Sequence, residues 1–225
     1  MKIQFLGHAA FALEHDGKTV LVDPFLTGNP KAAASAGEVA ADAIFLTHGH
    51  GDHIGDTVDI AKRTGATVVA IVELANELGE SGVENVMDPN IGGTVDLGWV
   101  SVRLTPAWHT STTPKGTVNT PAGLVVEMGG KRIYFAGDTA LFSDLALPAK
   151  RGHIDLAVIP IGGHYTMDRF DAVVAAELIK ADQVIPCHYD TFPPIETDAQ
   201  AYKADVQNAG FAEVIVLDPG ASHEL

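Results

Sequence analysis

Residues Thr47 to His53 read Thr-His-Gly-His-Gly-Asp-His, which places three histidines and one aspartate within seven residues. Neutral imidazole and carboxylate groups are the ligands that suit zinc and similar divalent ions. His48 and His50 are two residues apart, so in an extended turn they can point to one side. Asp52 and His53 follow directly and can supply ligands to a second position next to the first. The motif therefore predicts two metal ions held close together, roughly 3.5–4 Å apart as in two-metal hydrolytic sites.

The residues around this motif predict its structural setting. The apolar run Ala43–Leu46 precedes it and is typical of a buried strand. Gly49 and Gly51 allow the chain to turn tightly without a Cβ penalty. Apolar residues recur at helical spacing from Ile54 onwards, so we expect a helix that starts just after the motif. A strand, loop and helix in this order place ligands at the carboxyl edge of a sheet, where open α/β folds have their sites.

The pattern His-x-His-x-Asp-His on the loop after a buried strand resembles the metallo-β-lactamase superfamily, and the match covers nearly the whole chain. The resemblance implies three further ligands. His109, Asp138 and His188 are the candidates, and each follows an apolar run that gives way to a loop. The resemblance assigns the first ion to His48, His50 and His109, the second to Asp52, His53 and His188, and the bridging position to Asp138.

Shorter motifs narrow the resemblance to one branch. Gly-His-Ala-Ala-Phe at residues 7–11 and Asp-Pro-Phe at residues 23–25 resemble the lactonase-like branch, which includes L-ascorbate phosphate lactonase. Residues 161–168 and 187–193 resemble a compact bacterial family within that branch, known only as metal-dependent hydrolases. This resemblance implies no substrate.

Two histidines remain after the ligands are assigned, and we predict them as catalytic residues together with Asp52. His8 follows a glycine at a strand end and His164 follows two, so both positions suit a residue that faces the site. Either histidine could donate to a substrate oxyanion or protonate a leaving group. A hydrogen-bonded structural histidine is the alternative at both positions. Asp23 could orient a ligand histidine, or it could serve an ordinary turn.

The ligand set predicts a metal-dependent hydrolase in which hydroxide that bridges two metal ions attacks a small ester, lactone or phosphodiester. Zinc is the default ion for histidine and aspartate ligands, and manganese or iron accept similar ligands. Two alternatives stay open. One is an iron-dependent dioxygenase of the same fold, and the other is a metal-dependent binding protein without turnover.

The composition bounds the class of protein. A chain of 225 residues with 46% hydrophobic residues is expected to form a single domain, residues 1–225. The formal net charge of −15 argues against nucleic-acid binding, but a small anionic substrate remains open because bound metal ions change the local sign. One cysteine cannot form an internal disulfide, and no apolar stretch approaches the ~20 residues of a membrane helix. We therefore expect a cytoplasmic protein without membrane contact. The composition does not fix the oligomeric state, so a homo-oligomer stays open.

The order of the predicted elements indicates a mixed α/β protein. Strand-rich blocks with helices at both ends of each half fit two sheets packed face to face and covered by helices. The superfamily resemblance implies a four-layer αββα sandwich. Lys31–Ala41 is Ala-rich and predicts a loop with a short helix, and Trp108 is interpreted as a core residue. Helices are predicted over Arg169–Lys180 and Asp198–Asn208.

Overall fold

Two seven-stranded sheets form the centre of the protein, in a computed structural model that describes all residues from Met1 to Leu225. The first sheet contains β1 (Lys2–Gly7), β2 (Ala10–His15), β3 (Lys18–Val22), β4 (Ala43–Phe45), β5 (Thr67–Val69), β6 (Val86–Met87) and β14 (Ser222–Glu224). The second contains β7 (Thr94–Asp96), β8 (Val100–Pro106), β9 (Ala122–Met128), β10 (Lys131–Phe135), β11 (Leu156–Pro160), β12 (Gln183–Cys187) and β13 (Glu213–Val214).

Six α-helices accompany the sheets: α1 (Gly51–Ile54), α2 (Thr57–Thr64), α3 (Val72–Glu80), α4 (Leu147–Lys150), α5 (Arg169–Ile179) and α6 (Ala199–Ala209). Short 3-10 helices cover Ser143–Ala146 and Pro193–Ile195. The two long helices of the second half begin where predicted, because an aspartate caps each of them. Asp168 accepts hydrogen bonds from the backbone N–H groups of residues 170 and 171, and Asp198 does the same for residues 200 and 201.

Each sheet is antiparallel in one half and parallel in the other. The order in the first sheet is β14-β1-β2-β3-β4-β5-β6, with parallel pairing from β3 to β6. The order in the second is β13-β12-β11-β10-β9-β8-β7, with parallel pairing from β10 to β13. Parallel neighbours need crossover connections, which in the first sheet include α2 and α3 and in the second α5 and α6.

The main core lies between the sheets, as a four-layer αββα sandwich requires. A cluster of 42 buried residues includes Phe11 of the first sheet and Phe135 of the second, whose rings lie 5.7 Å apart at an interplanar angle of 63°. A second cluster of 19 buried residues lies between the outer face of the second sheet and its helices, with Tyr134 and Tyr202 as its largest members. The predicted fold is confirmed.

Three local predictions are wrong. Lys31–Ala41 forms turns and no helix, because tertiary partners use its backbone: Ala33 donates to the carbonyl of Leu6, and Arg63 donates to two carbonyls of the segment. The single helix expected just after the ligand motif is two helices: α1 begins within the motif at Gly51 and ends at Ile54, and α2, which carries Val58 and Ala61, begins at Thr57. Trp108 is 69% exposed rather than part of the core.

No helix combines the length and apolar character needed to cross a membrane.

Candidate metal centre

The candidate ligands come together at one edge of the two sheets. The loop after β4 carries His48 to His53, and His109 follows β8. Asp138 follows β10 and His188 follows β12. Each ligand therefore lies just beyond the carboxyl end of a strand. Because these ends meet at the same edge, residues that are up to 140 positions apart in the sequence can share one site.

Asp138 lies at the middle of the ligand set. Its Oδ2 is 3.2 Å from Nε2 of His188 and 3.4 Å from Nε2 of His53. The same oxygen is 3.6 Å from Nε2 of His109 and 3.9 Å from Nε2 of His48. The carboxyl group is only 3% exposed. A single carboxylate oxygen that faces four imidazoles is arranged as a bridging ligand would be.

The ligand atoms fall into compact groups. One group consists of His48, His50 and His109, whose ligand atoms all lie within 4.8 Å of one another. A second group of the same compactness contains Asp52, His53 and His188, and it includes one further histidine, His8. Asp138 forms a third group with His48 and His53. The two ligand sets implied by the resemblance are thus each brought together, and the assignment of ions to them stays a prediction.

The charged groups favour a cation at the centre. Burial raises the pKa of Asp138, but His188 and His53 outweigh that effect and hold the pKa well below its usual range. Burial lowers the pKa of His53, yet Asp138 and Asp23 outweigh it and hold the pKa well above its usual range. At the more peripheral His50, burial lowers the pKa, which favours the neutral imidazole that binds metal ions.

Several buried nitrogen atoms lack a hydrogen-bond partner. Nε2 of His53 and both ring nitrogens of His188 are buried without one. An unsatisfied buried polar group costs about 1–3 kcal/mol. Metal ions bound to the two Nε2 atoms would satisfy those two, and imidazole with carboxylate is a suitable donor set for divalent ions. The residues therefore fit the metal ions that the sequence predicts.

Asp23 and Thr47 fix the tautomers of two ligand histidines. Asp23 Oδ2 lies 2.6 Å from the hydroxyl of Thr47 and 2.8 Å from Nδ1 of His53, while Oδ1 accepts from the backbone N–H of Thr47 at 2.8 Å. A carboxylate only accepts, so a proton of His53 lies on Nδ1, and Nε2 is the nitrogen that a metal ion would bind in place of a second proton. The Thr47 hydroxyl donates to Asp23 and therefore accepts from Nδ1 of His48 at 3.0 Å. Nε2 of His48 thereby carries the lone pair that a metal ion would bind, and in this structure it lies 3.0 Å from Nδ1 of His50.

We expect Asp23→Asn to weaken metal binding by about 10–100-fold, the usual effect of losing a partner that orients a ligand. Asn has only one accepting oxygen, so its amide NH2 group would face either the backbone N–H of Thr47 or the two donors that now bind Oδ2. Asp16→Asn is the matched control, because Asp16 has the same left-handed backbone but an 87% exposed side chain. Competition with a chromogenic chelator measures the affinity. Equal affinity in the two variants would show that Asp23 does not orient a ligand.

His8 lies behind Asp52 rather than in the open part of the site. Its Nε2 is 3.1 Å from Oδ2 of Asp52, and its Nδ1 is 2.8 Å from the hydroxyl of Thr191. Burial lowers the pKa of His8 to about 4, so the ring is neutral and carries one proton. Since Asp52 only accepts, that proton lies on Nε2, and Nδ1 accepts from the hydroxyl of Thr191.

His164 lies at the mouth of the site. Its side chain is exposed, and its ring packs edge-on against Tyr165 with centroids 4.5 Å apart. Tyr165 lines the cleft above the metal ligands, whereas His164 does not. The structure therefore brings His164 next to the cleft wall without placing it in the wall.

The cleft has a volume of about 440 Å³. Five of the candidate ligands line it together with Thr110, Tyr165, Phe192 and Pro194, and no lysine or arginine lines it. The lining residues Tyr165 and Phe192 were not predicted, and neither was Thr191, the partner of His8. Their only sequence signal is their place within the motifs at residues 161–168 and 187–193.

Four site residues have left-handed backbone conformations. The φ angles are 62° at His8, 45° at Asp23, 54° at His164 and 54° at His188. Non-glycine residues in this region cost of order 1–3 kcal/mol each and cluster at functional sites. His8, Asp23 and His188 each directly follow a strand, so at these three positions the positive φ turns the chain at the sheet edge, whereas His164 lies four residues after β11. These backbone conformations help to shape the sheet edge that carries the candidate metal ligands.

Comparison with known proteins agrees with this geometry. Residues 2–188 match the family described as the Beta-lactamase superfamily domain. The chain is 48% identical to a UPF0173 metal-dependent hydrolase of Methanopyrus kandleri, over 100% of both chains. It is 36% identical to a metallo hydrolase of known structure from the hyperthermophilic archaeon Ignicoccus hospitalis, with a TM-score of 0.90 over 100% of this chain and 98% of that chain.

A more distant neighbour is a diiron β-hydroxylase from Streptomyces venezuelae. It is 19% identical with a TM-score of 0.77, and the match covers 100% of this chain and 54% of that chain. At this identity the likeness shows the fold alone.

Proposed function

This chain belongs to the beta-lactamase superfamily and, within it, to a family of metal-dependent hydrolases, and we propose that it is a hydrolase with two divalent metal ions. The observation that carries the proposal is the position of Asp138 Oδ2, which faces imidazole nitrogens of both ligand groups. The proposed ligands of the first ion are His48, His50 and His109, those of the second are Asp52, His53 and His188, and Asp138 bridges. Zinc is the proposed ion, with manganese or iron as substitutes.

Two divalent ions bound here would supply a nucleophilic hydroxide at neutral pH and Lewis acidity for the scissile bond. The protein residues would hold and orient these groups. Asp138 would balance the charge of both ions, and Asp23 with Thr47 would keep Nε2 of His53 and of His48 unprotonated. The residues that line the cleft would exclude part of the bulk water from the reacting groups.

We propose that His8 acts on the reaction through Asp52. Its contact with the carboxylate and its 1% exposure support a role in positioning Asp52 rather than a direct contact with substrate. For His164 we propose the role of donor to the substrate. Its exposed position beside Tyr165 would allow it to reach a substrate that projects from the cleft. Asp52 remains the catalytic carboxylate of the set as well as a ligand.

The cleft supports a small, uncharged ester or lactone as the preferred substrate. Tyr165, Phe192 and Pro194 offer apolar surface, and no lysine or arginine is present to pair with a second anionic group. A phosphodiester stays within the proposal, because the metal ions themselves would offset its charge. We also propose that residues 1–225 act as one domain, and the cytoplasmic setting and absence of nucleic-acid binding stay predictions.

We expect close to two transition-metal ions per chain in protein prepared without chelator. Seven candidate ligands are too many for one four-coordinate zinc ion. Elemental analysis of the purified protein, before and after reconstitution with zinc or manganese, measures the stoichiometry. A value of no more than one ion per chain after reconstitution would rule out the dinuclear site.

Turnover assays separate the proposal from its two alternatives. Hydrolysis of lactones, thioesters or phosphodiesters that stops with a chelator and returns with metal supports a hydrolase. Bound iron with oxygen uptake would identify the iron-dependent dioxygenase instead. Full metal content without turnover of any of these substrate classes would favour the metal-dependent binding protein.

A further inference from the structure

The connection between β8 and β9 contains a small hairpin. The backbone N–H of Asn119 donates to the carbonyl of Ser111 at 3.1 Å, and that of Thr113 donates to the carbonyl of Thr117 at 2.9 Å. An isolated antiparallel bridge lies between these two pairs. Residues 111–119 therefore form a closed unit, the 111–119 hairpin, whose two arms are held by their own backbone hydrogen bonds.

Two buried side chains of this hairpin accept from one backbone N–H group of the ligand loop. The N–H of Gly49 donates to Oγ of Ser111 at 2.9 Å and to Oδ1 of Asn119 at 3.1 Å. Ser111 is 3% exposed and Asn119 is 5% exposed. This N–H belongs to the planar peptide bond between His48 and Gly49, and His50 follows directly. The two acceptors therefore fix the backbone that separates two candidate ligands.

The hairpin approaches the ligand loop so closely that residue 49 must be a glycine. A Cβ atom there would lie 2.6 Å from Nδ2 of Asn119 and 2.7 Å from Cγ2 of Thr113. The φ angle of Gly49 is not positive, so its backbone conformation alone would allow other residues. Contact with the hairpin is thus the physical reason for this glycine.

The tip of the hairpin is attached to α3, a helix beside the first sheet. The hydroxyl of Thr113 donates to Oε2 of Glu77 at 2.6 Å, and both residues are buried. Nζ of Lys115 donates to Oγ of Ser81, which ends α3, at 2.6 Å. The hairpin starts from the second sheet and is fixed to an element that follows β5 of the first. It therefore connects the two sheet layers beside the candidate ligands.

The first ion requires such a connection, because its proposed ligands come from both sheets. His48 and His50 follow β4 of the first sheet, whereas His109 follows β8 of the second. On the basis of the proposed two-ion site, we propose that Ser111 and Asn119 are positioning residues for the first ion. They hold the backbone of His48 and His50 at the distance from His109 that one ion needs, before that ion binds.

The two ions should respond differently to loss of these acceptors. The proposed ligands of the second ion are oriented by other residues, since Asp52 contacts His8 and His53 contacts Asp23. Removal of the acceptors should therefore weaken the first ion and spare the second. A residue that supported only the overall fold would affect both ions alike.

Ser111→Ala combined with Asn119→Ala tests this difference in two backgrounds. His188→Ala keeps all proposed ligands of the first ion, and His50→Ala keeps those of the second. Competition with a chromogenic chelator measures the affinity for Zn²⁺ in each. We expect binding to weaken by about tenfold or more in the first background and by less than about threefold in the second. The visible absorption of bound Co²⁺, which reports ligand geometry, should change in the first background only.

Ser111→Ala alone is the second variant, because it keeps the backbone hydrogen bonds between the arms of the hairpin. Asn119 still accepts from Gly49 in this variant, so the expected loss of affinity at the first ion is about threefold. Ser143→Ala combined with Asn208→Ala is the matched control. It removes the same two groups from exposed positions and should change neither affinity.

The metal stoichiometry of the parent protein separates the possible failures. If the parent binds two ions, equal weakening in both backgrounds would make the hairpin a general support of the fold. Unchanged affinity in both backgrounds would remove its role altogether. Either result overturns the assignment of Ser111 and Asn119 and leaves the two-ion site standing. A parent protein that binds only one ion overturns the two-ion site and this assignment together.

Discussion

Asp138→Ala is expected to lose most of its bound metal and all measurable hydrolysis. Asp138 faces four imidazoles within 3.9 Å and is the proposed bridge between two cations. Without it, two like charges at about 4 Å would repel by about 4 kcal/mol per unit charge pair at an effective dielectric constant near 20. His164→Ala is expected to keep both ions and to lower turnover only. Metal stoichiometry and rate, measured side by side for both variants, test this contrast.

Two other outcomes for Asp138→Ala and His164→Ala would assign a different role to His164. Equal metal loss in both variants would make His164 a ligand or a structural support rather than a donor to the substrate. Full metal content and full rate in His164→Ala would leave it an ordinary exposed histidine. Asp182→Ala is the control for loss of one negative charge, because Asp182 is 66% exposed and pairs only with the exposed His153.

His50→Ala is expected to abolish hydrolysis while leaving the fold intact. The loss should exceed the roughly 10–100-fold typical of a residue that merely orients a ligand. His50 lines the cleft and is only partly buried, and the helix that follows it uses its backbone carbonyl rather than its ring. We therefore expect the free energy of unfolding to change by no more than about 1 kcal/mol. Rate assays and denaturant unfolding measure the two effects.

His153→Ala provides the matched control for His50→Ala. It removes an imidazole that is 61% exposed and lies outside the metal cleft, so both rate and stability should stay near those of the parent protein. Wild-type turnover in His50→Ala would show that the assignment of the first ion is wrong. A large loss of stability in His50→Ala would instead show that the ligand loop depends on this imidazole.

The loop with His48 to His53 could be predicted because its information is local. The apolar run before it forms β4, and the spacing of the side chains within a short turn restricts where they point. The positions of His109, Asp138 and His188 followed from the resemblance and from their place at strand ends. Trp108 shows where this reasoning fails. It neighbours a ligand, and the turn after β8 directs its ring outwards, towards Phe142 at 6.5 Å.

The sequence by itself determined the ligand types, their order along the chain and the strands that carry them, because these depend on residue chemistry and short-range periodicity. Only the tertiary structure decided which groups act on the ligands. The contact of His8 with Thr191 joins residues 183 positions apart, and that of Asp23 with His53 joins residues 30 apart. Such contacts depend on how the two sheets pack and on the direction in which each strand end turns, and neither is encoded in local spacing.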